Sequence, residues 1–166
     1  MTDTGILILR LVVGLYVAGH GAQKLFGWFG GPGLGASIGS MGSRLGLRPA
    51  RLWAPALAAV EVVGGVLMAV GFLGPLGPMA VAGAMLGAVV FGHWSKGPWA
   101  ARGGYELAAT NLAVALAVTL VGVGSLSVDA WLGLAVPPLA SEVFGGLVVL
   151  GVVTAGLSRR VQPLQS

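Results

Sequence analysis

Five apolar stretches of membrane-spanning length fill most of this 166-residue chain, and its cations gather in alternate gaps between them. A hydrocarbon core of about 30 Å takes roughly 20 apolar residues per helix. Stretches of that size are predicted at about 5 to 26, 53 to 73, 76 to 95, 106 to 123 and 137 to 157. Only 8% of the residues are charged against 56% hydrophobic, whereas soluble domains carry roughly 25% charged residues. Lipid is therefore the expected solvent. Beyond the spans there is one loop of appreciable length, from about Lys24 to Leu52, with short turns and a tail. No separate soluble catalytic domain is expected. The predicted architecture is all-α, a single polytopic membrane helix bundle over residues 1–166.

The first span starts beside Asp3 rather than a basic region, and no small-residue cleavage site precedes His20 and Gly21, so it is read as a retained helix. Lys24, Arg44, Arg48 and Arg51 fall in the first gap, Lys96 and Arg102 in the third, and Arg159 and Arg160 in the tail. With five spans these share one side, while Asp3, the Gly74-Pro75 turn and Asp129 fall on the other. Cations mark the cytoplasmic side. The expected topology is a multi-pass cell-membrane protein with its N-terminus outside and its C-terminus in the cytoplasm. Because the basic residues flank apolar spans and form no stripe with interleaved aromatics, lipid head groups rather than nucleic acid are the expected partner.

Small residues recur at helical spacing at Gly14 and Ala18, at Gly83 and Gly87, and at Gly145, Gly146, Gly151 and Ala155. Such faces let helix backbones approach within lipid, where no hydrophobic drive operates between helices. Intramolecular packing is the expected use, with a dimer face as the alternative. Trp28, Trp53, Trp94, Trp99 and Trp131 sit at predicted span ends and read as interface anchors.

Ionisable groups inside a membrane cost roughly 2.5–3.5 kcal/mol even on lenient scales and so face partners or cavities. By helix rise, His20 lies about 9 Å and Glu61 about 12 Å above the cytoplasmic ends of their spans, with His93 and Glu106 within about 5 Å of the same surface. Lys24, one turn below His20, would close that cluster from beneath. Candidate catalytic residues are His20 and Glu61, as an intramembrane proton relay or as structural groups. Candidate substrate-binding residues are Lys24, His93 and Glu106, the last two also readable as an interfacial pair. Arg10, about five residues inside the first span and near the outer surface, is expected to pair structurally with Glu142 or Glu61, a substrate-binding role being the alternative.

With no cysteine in the chain there is no disulfide relay, iron–sulfur thiolate or Cys nucleophile. A haem between His20 and His93 is disfavoured by their different depths. No metal site is expected. The Gly30 to Gly39 run GGPGLGASIG imitates a dinucleotide fingerprint without its strand or its acidic residue, and is expected to be a flexible membrane-edge loop.

The run RLVVGLYVAGHGAQKLFGWFGG from Arg10 to Gly31, Glu61 followed by Gly64-Gly65, His93 beside WSKGPW, GGYE ending at Glu106, and GVGSLSVDAW with Asp129 resemble the DoxX family of bacterial membrane proteins. The resemblance covers about residues 5–131. It implies a four-helix membrane bundle related to the DoxD subunit of thiosulfate:quinone oxidoreductase, with a link to quinone or thiol redox metabolism. The stretch at about 137–157 with Glu142 is then an additional C-terminal helix, suited to docking in a larger complex.

The leading expectation is a quinone-facing subunit with no covalently bound cofactor, in which His20, Glu61 and Lys24 serve the quinone carbonyls and electrons pass to or from a redox partner. The alternative is a non-catalytic anchor or assembly subunit of a larger redox complex. A small-solute carrier ranks third, since no internal repeat is evident.

Overall fold

The computed structural model describes residues 2–159. Its α-helices are α1 (Thr2–Phe26), α2 (Gly33–Ser43), α3 (Ala50–Val70), α4 (Leu76–Gly87), α5 (Glu106–Val121), α6 (Val128–Leu132) and α7 (Pro138–Leu157). α4 continues as a π-helical turn over Ala88–His93 and a 3-10 turn over Trp94–Lys96. α1, α3, α4 with this extension, and α7 are each long and apolar enough to cross a bilayer. At 16 residues, α5 is only about 24 Å long. It nevertheless joins the two ends of the bundle, since Glu106 binds the loop after Lys96 and the chain just past Val121 meets Arg10 of α1.

α1, α3, α4 and α5 share one core, in which Val13, Val17, Met68, Val81, Met85, Ala115 and Val118 are buried together. α7 lies against α4 from outside and buries only Ala155, which joins Met41, Leu47 and Ala54 in a second cluster. The result is the expected four-helix core with one helix added. Outward faces carry exposed Val12, Leu15, Val63, Leu120 and Leu147, as suits contact with lipid.

The α1–α3 contact is built on missing side chains. A Cβ at Gly14 would stand 2.6 Å from the Gly65 carbonyl oxygen, and one at Gly21 would stand 2.6 Å from that of Ala58. Gly83 likewise receives Val148 of α7, whereas Gly146 and Gly151 face open space. Gly65→Val is therefore expected to push α1 and α3 apart at a cost of roughly 1–3 kcal/mol. Thermal unfolding in detergent reads this, with Gly146→Val as the variant expected to match wild type.

One local expectation is corrected. The Gly30 to Gly39 run is not a loop throughout, because its last seven residues, from Gly33, open α2. Pro32 leads into that helix, and Ser37 and Met41 are buried on its inner side, so packing offsets the low helix propensity of glycine. Trp53, near the start of α3, is half-buried over the second cluster. Trp28, Trp94, Trp99 and Trp131 are exposed at helix ends.

The helix directions place Lys24, Arg44, Arg48, Arg51, Lys96, Arg102 and Arg159 at the end where α1 and α7 finish and α3 begins. Asp3, Arg10, Asp129 and Glu142 belong to the other end. Arg160, the last of the expected cations, lies outside the described residues.

Candidate functional site

Ala58, Glu61, Gly65 and Met68 recur at helical spacing on the face of α3 that meets α1. Because Gly21 lets α1 and α3 close together, Lys24 in the last turn of α1 reaches Glu61 near the middle of α3. Its ammonium donates to both carboxylate oxygens, at 2.5 and 2.6 Å. The Glu61 side chain is 6% exposed and that of Lys24 31%, so the carboxylate is the buried partner. The Ser37 hydroxyl of α2 donates to the Gly33 carbonyl at 2.8 Å and lies 3.2 Å from the Lys24 main-chain oxygen.

Lys24 and Glu61 form part of the wall of a cavity of about 1210 Å³ bounded by α2, α3, the extended α4 and α7. Its volume exceeds the roughly 300–1,000 Å³ typical of small-molecule pockets. Leu57, Ala84, Ala88, Phe91, Val152 and Ala155 give it apolar sides, and Ser40, Arg44, Lys96 and Arg159 bring polar groups. Phe91 and His93 come from the π-helical turn, a wider winding that shifts the register of the rod and recurs at functional sites in helices. The His93 ring meets the Gly103 carbonyl through Nδ1 at 2.7 Å. A carbonyl only accepts, so Nδ1 carries the proton and Nε2 is the acceptor in the neutral ring.

Lys24, Glu61 and His93 thus come together around one space, and the other expected residues do not. His20 is exposed on the outer face of α1, edge-on to Tyr16 with ring centroids 4.6 Å apart. It stands about 100° around the helix from Gly21, the residue that faces α3. Glu106 is exposed and closes its own loop, accepting from the Ala100 amide at 2.9 Å while its amide donates to the Pro98 carbonyl at 2.9 Å. It does not line the cavity.

Arg10 pairs with neither Glu142 nor Glu61. Glu61 is engaged by Lys24, and Glu142 is exposed at the start of α7, which packs on α4 rather than α1. The guanidinium, 1% exposed, donates instead to the backbone carbonyls of Val123, of Leu126 at 2.9 Å and of Ala69 at 3.3 Å. Asp129, also buried, accepts from the Leu73 and Gly74 amides at 3.0 and 2.5 Å. Together they lock the α3–α4 turn to the segment between α5 and α6. Spacing along the chain gave no sign of this, because its partners are backbone atoms. Among the described residues, no three His, Asp or Glu side chains gather as a metal site would require.

A family model described as DoxX matches residues 5–94. That span includes Arg10, Lys24, Glu61 and His93 and stops short of Glu106 and Asp129. No curated protein and no solved structure matches the chain.

Proposed function

Because that model covers more than half of the chain, the protein belongs to the DoxX family, and from this premise we propose that it is the quinone-binding subunit of a membrane redox system. The observation that carries the reading is the Lys24–Glu61 pair set in the wall of an apolar-sided cavity that His93 also lines. A quinone head is a flat apolar ring with two carbonyl acceptors, and its reduced form presents two hydroxyl donors. The Lys24 ammonium suits the former, while the Glu61 carboxylate and His93 Nε2 suit the latter. Oxidation of the quinol passes two electrons to a redox partner protein and releases two protons, for which the Glu61 carboxylate and His93 Nε2 are the acceptors nearest to hand; reduction of the quinone runs the same transfers in reverse. The end rich in Lys and Arg faces the cytoplasm in this reading, with the N-terminus outside.

Titration of a short-tailed quinone against purified protein, followed by thermal stability, tests the proposal. Wild type is expected to be stabilised. His93→Ala and Glu61→Gln are each expected to weaken the response at least tenfold, and His20→Ala to leave it unchanged because that ring faces outward. An unresponsive wild type, or a response surviving both cavity substitutions, would rule the reading out.

A second reading, a non-catalytic anchor for a larger complex, is favoured by α7, which presents exposed Leu139, Val143, Leu147 and Leu150. Co-purification of a stoichiometric complex whose activity withstands Glu61→Gln would support it over quinone chemistry.

A further inference from the structure

We infer that Arg44 and Arg159 clamp the phosphate of an anionic phospholipid at the cavity, with its acyl chain along the apolar wall formed by α4 and α7. The inference goes beyond the quinone reading and does not depend on it.

Charge is the first argument. Lys24, Arg44, Lys96 and Arg159 line the cavity against one carboxylate, Glu61, which Lys24 already neutralises. The remaining acidic groups are engaged or distant: Glu106 holds the Ala100 amide, and Asp3, Asp129 and Glu142 belong to the opposite end of the bundle. Three cations therefore face the cavity with no carboxylate among the described residues to balance them. An anion from outside the chain completes the site.

Placement is the second argument. The Arg159 Nε donates to the Leu45 carbonyl at 2.9 Å, one residue beyond Arg44, and its guanidinium carbon lies 5.1 Å from the centre of the Phe91 ring. An antiparallel backbone bridge between Leu47 and Arg159 fixes the same junction. Arg159 is thus held before any ligand arrives, with its terminal nitrogens making no hydrogen bond among the described residues and Arg44 on the adjoining segment. Guanidinium groups offer forked donors matched to phosphate oxygens.

The third argument separates a lipid from a free anion. Phe91, Val152 and Ala155 continue from the arginines along the cavity side, and α7 is otherwise largely exposed on its lipid face. Inorganic phosphate has no use for that wall. An acyl chain does, since it can fill that wall with dispersion contacts.

Native mass spectrometry of the purified protein titrated with phosphatidylglycerol or phosphatidylcholine tests this. Wild type is expected to retain phosphatidylglycerol at least tenfold more strongly than phosphatidylcholine, and Arg44→Gln to abolish the preference. Arg44 is exposed, so this variant spares the fold. Arg159→Lys, which keeps charge but loses the fork, is expected to weaken retention by a smaller factor. Equal retention of the two lipids, an Arg44→Gln protein that still prefers phosphatidylglycerol, or inorganic phosphate that competes as well as the lipid would each overturn the assignment. Quinone response is read separately with Glu61→Gln, which leaves both arginines in place.

Discussion

Arg10→Met is expected to lower stability by roughly 3–5 kcal/mol, since each buried carbonyl left without a donor costs about 1–3 kcal/mol. The residue lies eight positions into α1 from Thr2, about 12 Å along its axis. The non-helical segment after α5 descends to meet it there, because α5 is the shortest of the rods that join the two ends. Backbone outside a helix is tolerated at membrane depth only when its polar groups find partners within the protein. Arg10 supplies those partners to Val123 and Leu126, and also to Ala69 in the last turn of α3.

The neighbouring backbone has been shaped around the guanidinium. Gly71 closes α3 in a left-handed conformation, with its amide shared between the Leu67 carbonyl at 2.9 Å and the Met68 carbonyl at 3.3 Å and that of Phe72 on the Leu67 carbonyl. A Cβ there would stand 2.7 Å from the Arg10 guanidinium carbon. Arg10→Lys keeps the charge, but one ammonium cannot span three carbonyls lying on different segments, so it is expected to recover less than half of the loss. Thermal unfolding of the purified variants decides the matter. An Arg10→Met protein within about 1 kcal/mol of wild type, less than the cost of a single stranded carbonyl, would show that water satisfies these groups and that the clamp carries little of the stability.

Four of the five expected spans, the added C-terminal helix and the gathering of all the described cations but Arg10 at one end were legible in the sequence because each follows from hydropathy and charge order, which are local properties; the expected span at about 106 to 123 is the shorter helix α5. The α1–α3 contact was partly legible, as Gly14 advertised a close approach without naming its partner Gly65. The site was legible only by depth. Helix rise placed His20, Glu61, His93 and Glu106 in one leaflet with Lys24 beneath, and of these Lys24, Glu61 and His93 line one cavity; depth says nothing of azimuth, and azimuth sends His20 to the outer face. The π-helical turn that sets His93 also breaks the periodicity by which its direction would be read. Arg10 misled for another reason: a buried charge invites a search for a carboxylate, whereas backbone carbonyls, invisible in composition, satisfied it.

Lys24→Met and Glu61→Leu made separately are each expected to cost about 2–3 kcal/mol, and the double variant to recover most of that loss. Each single change strands one charge in the cavity wall beside apolar Leu57 and Ala84. Removing one partner of a fully buried pair typically costs about 3–5 kcal/mol, and the lower figure reflects the 31% exposure that lets Lys24 reach water. Glu61→Leu is therefore the milder of the two, because a stranded ammonium on a long stem can turn outward. Replacing both charges removes the desolvation penalty along with the attraction, and apolar groups of similar volume fit a lipid-embedded wall.

The double variant consequently separates two roles that single substitutions confuse. If the pair exists to receive a quinone, the stable double variant no longer responds to one, although it folds and keeps His93. If the pair serves only to register α1 against α3, the double variant responds as wild type does, and the cavity loses its claim to the chemistry. Should the double variant instead be as unstable as the sum of the two singles, the side chains are not coupled, and the 2.5 Å contact between them contributes little to the fold.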